Sequence, residues 1–122
     1  MINNSQHSDR EAVDPGAIDS VFDILQERDR RYVLYFLLEH DRVTVQDIAN
    51  VVTGWVNANS SEMADKDDRD AIATDLRHRH LPVLIESSLV DYDRSTESVS
   101  LAPCPEPIRA IIERACSEET GS

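Results

Sequence analysis

Residues 75–93 read DLRHRHLPVLIESSLVDYD. Two Arg and two His fill the consecutive positions Arg77 to His80, and Pro82 follows inside an apolar run. Then the pattern changes period. Val90 and Tyr92 alternate with Asp91 and Asp93; beyond a polar tip at 94–97, Val99 and Leu101 alternate with Ser98 and Ser100. Alternation at period two in two short runs joined by a polar tip is the signature of a β-hairpin. Ile72, Ala73, Leu76, Val83 and Leu84 recur instead at helical spacing. The stretch is therefore read as a helix over 69–87, started by the Asp residues near 67, that feeds directly into a hairpin over 90–101. Pro82 removes an amide donor and collides with the turn before it, so a kink is expected there.

Working outward, Thr44-Val45-Gln46-Asp47 has the form of a capping box. Val45, Ile48, Ala49, Val52, Trp55 and Val56 form one stripe behind it, with Trp55 read as core. The run 32–38, YVLYFLL, is apolar nearly all round and suits a buried central helix. Ile18, Val21, Phe22 and Leu25 mark a short amphipathic helix over 17–26. Beyond Pro103, Pro105 and Pro107, a last helix over 106–116 carries Ile108, Ile111, Ile112 and Ala115 on one side. The fold class expected is mainly α with a β-hairpin, a winged helix-turn-helix. Its parts are a disordered leader at 1–14, a winged helix-turn-helix domain at 15–102, a C-terminal helix at 103–118 and a disordered tail at 119–122.

The 122 residues suit one domain, and 24 acids against 12 bases give a net charge of -12. Lys66 is the only lysine. An acidic, lysine-poor surface fits life in concentrated salt, where the Debye length falls to ~3 Å at 1 M and self-repulsion is screened. The rival reading is a surface for a basic partner. The polar first residues do not resemble a signal peptide, and no apolar run approaches the ~20 residues of a membrane span. A cytoplasmic location is expected, with Cys104 and Cys116 as free thiols.

The segments ERDRRYVLYFLLEH, VTVQDIANVV and LRHRHLPVLIESSLVDYD resemble a family of small haloarchaeal winged-helix proteins of unassigned detailed function. The resemblance covers roughly residues 17 to 101, with the H-L-P-x-L block and the downstream D-Y-D its most specific part. It implies a DNA-binding or transcriptional-regulator domain. The chain departs from the pattern at Ser88, where a Gly often closes the helix in a left-handed conformation.

On sequence, the helix 69–87 is formally neutral, with Arg69, Arg77 and Arg79 balancing Asp70, Asp75 and Glu86, and so a relatively positive island in a negative chain. Thr74, Arg77 and His78, flanked by Arg69 and Arg79, are the side chains expected to reach double-stranded DNA, with Arg94 of the wing on phosphate. The bland alternative is a solvated face whose arginines pair with Asp75 and Glu86. His78 and His80 stand two apart and so on different sides of a helix, which argues against one metal ion. No cofactor, metal, small-molecule ligand or catalytic group is expected. A homodimer is expected, built from the first and last helices through Ile18, Phe22, Ile108, Ile111 and Ile112. The functional alternative is a winged-helix interaction module that binds another protein and not DNA.

Overall fold

The structure, a computed structural model, describes residues 14–58 and 65–121. The expected leader lies outside them except for Asp14, as do most of the acidic connection before the fourth helix and the last residue of the expected tail. Helix α1 (Pro15–Leu25) starts on a proline, whose fixed φ suits a first helical turn. Helix α2 (Arg28–Leu38) buries Val33, Leu34, Tyr35 and Leu37 as the central element. A two-residue strand β1 (Val43–Thr44) leads into α3 (Val45–Val56). The capping box is formed in full: the Asp47 amide donates to Thr44 Oγ1 at 3.1 Å, and the Thr44 amide donates to Asp47 Oδ2 at 3.0 Å.

Helix α4 is one continuous run in three parts: Lys66–Asp75, the wider π turn Leu76–His80, and Leu81–Glu86. It begins three residues before the expected start at 69, because Asp65, not Asp67, is the cap. The Asp68 amide donates to Asp65 Oδ1 at 2.9 Å, and Asp68 returns the bond to the Asp65 amide at 3.1 Å. The turn before Pro82 is the one that opens. The Leu81 amide reaches back to the Leu76 carbonyl, one residue further than in an α-helix. The extra residue lets Leu76, His80, Leu81 and Leu84 all stay buried. Proline thus acts here by widening a turn and not by ending the helix.

The helix closes in a Schellman motif: the Leu89 amide donates to the Leu84 carbonyl at 3.1 Å and the Ser88 amide to the Ile85 carbonyl at 3.0 Å. Ser88 takes the left-handed conformation, φ 66°, that the missing glycine would favour. Replacing Ser88 by Gly should therefore stabilise the fold by about 0.5–1 kcal/mol, the left-handed penalty less the added freedom of the unfolded chain. A lower denaturation midpoint for S88G would show that the serine side chain matters more than the backbone.

Strands β2 (Val90–Asp93) and β3 (Ser98–Leu101) form the expected hairpin, with Val90 opposite Leu101 and Tyr92 opposite Val99. Strand β1 adds to β3 antiparallel, Val43 opposite Val99, so the sheet has three strands in the order β1-β3-β2. Val43, Val90 and Val99 turn inward. They complete a core in which Leu34, Ile48, Val52, Leu76, Leu84 and Ile112 are 0% exposed.

Helix α5 (Glu106–Thr120) packs against α1 and α2. Two expectations change here. Ile108 and Ile112 lie in the chain's own core, so they are not available to a dimer interface. The helix also runs on through Thr120, past the expected tail boundary at 119. Trp55, expected in the core, is 41% exposed. It lies on the last turn of α3, beyond Val52, and meets Tyr32 and Phe36 edge-on with ring centroids 5.5 and 6.3 Å away. Among the described residues no helix is long and apolar enough to cross a membrane.

Candidate nucleic-acid interface

The outer face of α4 presents Thr74, Arg77, His78 and Arg79 to solvent, with Arg69 half-buried one to two turns earlier. At the hairpin tip, Asp93 Oδ1 accepts from the Ser95 amide at 3.0 Å and from its hydroxyl at 2.8 Å, which orders the turn beside Arg94. These bonds hold the Asp93 carboxyl below its ordinary pKa. Arg77 and Arg94 line one hollow of about 490 Å³ between helix and hairpin, together with Pro82, Glu86 and Tyr92. The structure thus brings the helix and wing candidates to a common surface.

It also shows what occupies them. Arg77 donates to both oxygens of Glu97, Nε to Oε2 and Nη2 to Oε1, each at 3.1 Å. The bond lowers the Glu97 pKa and raises that of Arg77. Glu97 sits in the left-handed region, φ 55°, at the end of the hairpin tip. Arg79 turns away from Arg77 and donates to Glu27, ahead of α2, at 3.3 Å, with Asp75 at 3.8 Å. The first turn of α4 adds Asp67 and Asp68, and Lys66 is taken by Asp70 at 2.9 Å. Arg77 and Arg79 are therefore both paired: Asp75 is an expected partner of Arg79, while the shorter bonds go to Glu97 and Glu27, which are distant in sequence. Neither Glu97 nor Glu27 was legible as a partner, since they lie 20 and 52 residues from the arginines they bind.

His80 points inward and is 1% exposed. Arg30 Nε donates to its Nδ1 at 3.2 Å, which places the proton of the neutral ring on Nε2; that nitrogen is buried with no partner among the described residues. Burial holds the His80 pKa below its ordinary value; Asp29 and Asp75 pull against this, while Arg30 and Arg79 add to it. Asp29, Asp75 and His80 bring potential ligand atoms within 4.8 Å of one another. This is not the His78–His80 pair, which the spacing argued against. Arg30 on His80 and Arg79 beside Asp75 already supply positive charge, so the cluster reads as an ion-pair network.

Two arginines away from α4 are also held by acids, and Arg28 lies 3.4 Å from Asp29. Arg31 bonds Glu119 through Nε at 2.7 Å and Nη2 at 3.0 Å, and Tyr35 donates its hydroxyl to the same carboxylate at 2.8 Å. Arg31 is thus committed to holding α5 on α2. Cys104 and Cys116 are free thiols, and burial raises the pKa of both.

None of the curated proteins matches the chain. A family model described as a domain of unknown function, DUF7344, matches residues 22–100. The match runs from α1 through nearly all of β3, so it takes in the whole helix–hairpin surface and leaves α5 outside. The chain belongs to the DUF7344 family.

Proposed function

We propose that the chain is a winged helix-turn-helix domain that binds double-stranded DNA as a transcriptional regulator. The observation that carries this reading is the common surface of α4 and the hairpin, where exposed Thr74, Arg77 and His78 adjoin a hollow shared with Arg94. The order α2, β1, α3, α4, β2, β3 and the β1-β3-β2 sheet support it, since a helix placed just before a hairpin is the reading helix of that fold. Arg forks suit guanine edges and phosphates. With 24 acids against 12 bases, binding belongs in concentrated potassium chloride, where the protein's own field is screened.

The test is fluorescence anisotropy of labelled duplex DNA in molar potassium chloride. Arg77→Ala should weaken binding about five- to tenfold, at the low end for a base-reading arginine, because Arg77 gives up Glu97 to reach DNA. Glu97→Gln should strengthen it. No binding to any duplex, or identical affinity for both variants, would remove this surface from DNA recognition.

A second reading has its own observation. Asp67, Asp68 and Asp70 crowd the start of α4, and both exposed arginines are neutralised within the chain. That surface suits a protein partner that does not carry phosphate, and it becomes the better account if no duplex binds.

A homodimer remains the proposed assembly, on a narrower face than the sequence suggested. Phe22 is 54% exposed, and with Leu25, Ile111 and Ala115 it lines an apolar groove between α1 and α5. Half-buried Ile18 lies one turn away on α1. Light scattering at tens of micromolar should give twice the chain mass for the native protein and the monomer mass for Phe22→Ser. A monomeric native chain ends the dimer proposal.

A further inference from the structure

Another hollow lies away from the α4–hairpin surface. It is a cavity of about 630 Å³ between α2, α3 and α5, within the size range of small-molecule sites. Phe36, His40 and Trp55 form its aromatic wall, with Glu39, Glu113 and Cys116 around them. The wall is fixed by ring contacts: Trp55 stands perpendicular to Phe36 at 6.3 Å, and Phe36 meets His40 at 4.4 Å. Trp55 is nevertheless 41% exposed, on a helix turn with core available one turn away. No Lys or Arg is among the lining residues; Arg109 bonds Glu113 from one helical turn away at 3.1 Å.

We infer that this cavity binds a small organic cation of the alkylammonium class. Aromatic faces carry the negative part of their quadrupole, and a cation over them is stabilised more as water is excluded. Two carboxylates at the rim add the same preference. An anion would meet like charge at Glu39 and Glu113, and an uncharged ligand would gain only the apolar wall. Such a ligand would touch α2, α3 and α5 together, independently of any DNA contact by α4.

Trp55 is the only tryptophan, so its emission reports occupancy directly. The full chain is titrated at pH 8 with choline and, separately, with 3,3-dimethylbutan-1-ol, its uncharged carbon isostere. N-acetyltryptophanamide is the control for direct quenching. Choline should give a saturable change at millimolar concentration, and the alcohol should bind about tenfold more weakly. The exposed Glu113→Gln, which leaves the aromatic wall intact, should weaken choline roughly threefold and leave the alcohol unchanged. Equal binding of the two probes, or choline binding indifferent to Glu113→Gln, would reduce the site to a plain apolar groove and overturn the inference. So would the lack of a saturable response to choline.

Discussion

Replacing Ile112 by Ala should destabilise the monomer by about 2–5 kcal/mol, the range for truncating a fully buried isoleucine where the surroundings collapse only in part. Ile112 is 0% exposed and joins the same cluster as Val21, Ile24 and Leu34. Domains of this size have total stabilities of ~5–15 kcal/mol, so the variant should lose a large fraction of its margin. Urea denaturation checks it. The loss should not depend on protein concentration, because Ile112 packs within one chain. The neighbouring Ile111→Ala should cost far less, since Ile111 is half-buried at the edge of the Phe22 groove. If the two variants behaved alike, or if the Ile112 effect vanished on dilution, α5 would be packing against a second copy and not against its own core.

The second large effect is expected at Glu119→Ala. One carboxylate ties together Arg31 and the buried Tyr35, joining the last turn of α5 to the central helix. Its loss should cost about 2 kcal/mol, less than the gross strength of the bonds because the pair is partly solvated. The dependence on pH follows from the carboxyl itself. The Arg31 hydrogen bond, aided by Tyr35, lowers the Glu119 pKa from its ordinary 4.5 against the pull of burial. A depressed folded-state value means that the stabilisation is fully present above the unfolded value and is lost as pH falls through the folded one. The gap between native and variant midpoints should therefore be wide at neutral pH and narrow below pH 4.5. A gap that stays constant into strong acid would mean that Glu119 acts through packing and not through its charge.

What could be read from the sequence was local. Thr44 and Asp47 stand three apart and cap α3 as read, and the alternation at 90–93 and 98–101 located both hairpin strands. Strand β1 was not legible because two residues carry no period; it exists only through its pairing with β3. Pro82 announced an irregularity, but whether a turn tightens, breaks or widens is decided by what must stay buried around it. The apolar stripe of α5 was seen whole. Its division into core (Ile108, Ile112) and rim (Ile111) depends on where α1 lies. For the candidate site, the side chains on the outer face of α4 were legible from the helical wheel. Their charge state as a surface was not, because Glu97 and Glu27 come from other elements.

The Arg77–Glu97 pair has a consequence for ion stoichiometry. An arginine that meets a phosphate from open solvent lets the duplex shed a condensed counterion, and this release makes DNA affinity fall steeply with salt. Arg77 starts from a carboxylate instead. On the DNA-binding reading, a move of Arg77 to phosphate would leave Glu97 bare, and it would draw a cation from the medium. One ion would leave the nucleic acid as another is taken up by the protein, and the exchange would be close to neutral. Arg79, shared between Glu27 and Asp75, would behave the same way. On the DNA-binding reading, the logarithm of affinity should then fall with the logarithm of salt less steeply than the number of phosphates touched would require. Glu97→Gln should restore roughly one ion to that slope. On that reading, a surface that looks poorly suited to DNA in dilute buffer would, for the same reason, keep its grip in brine.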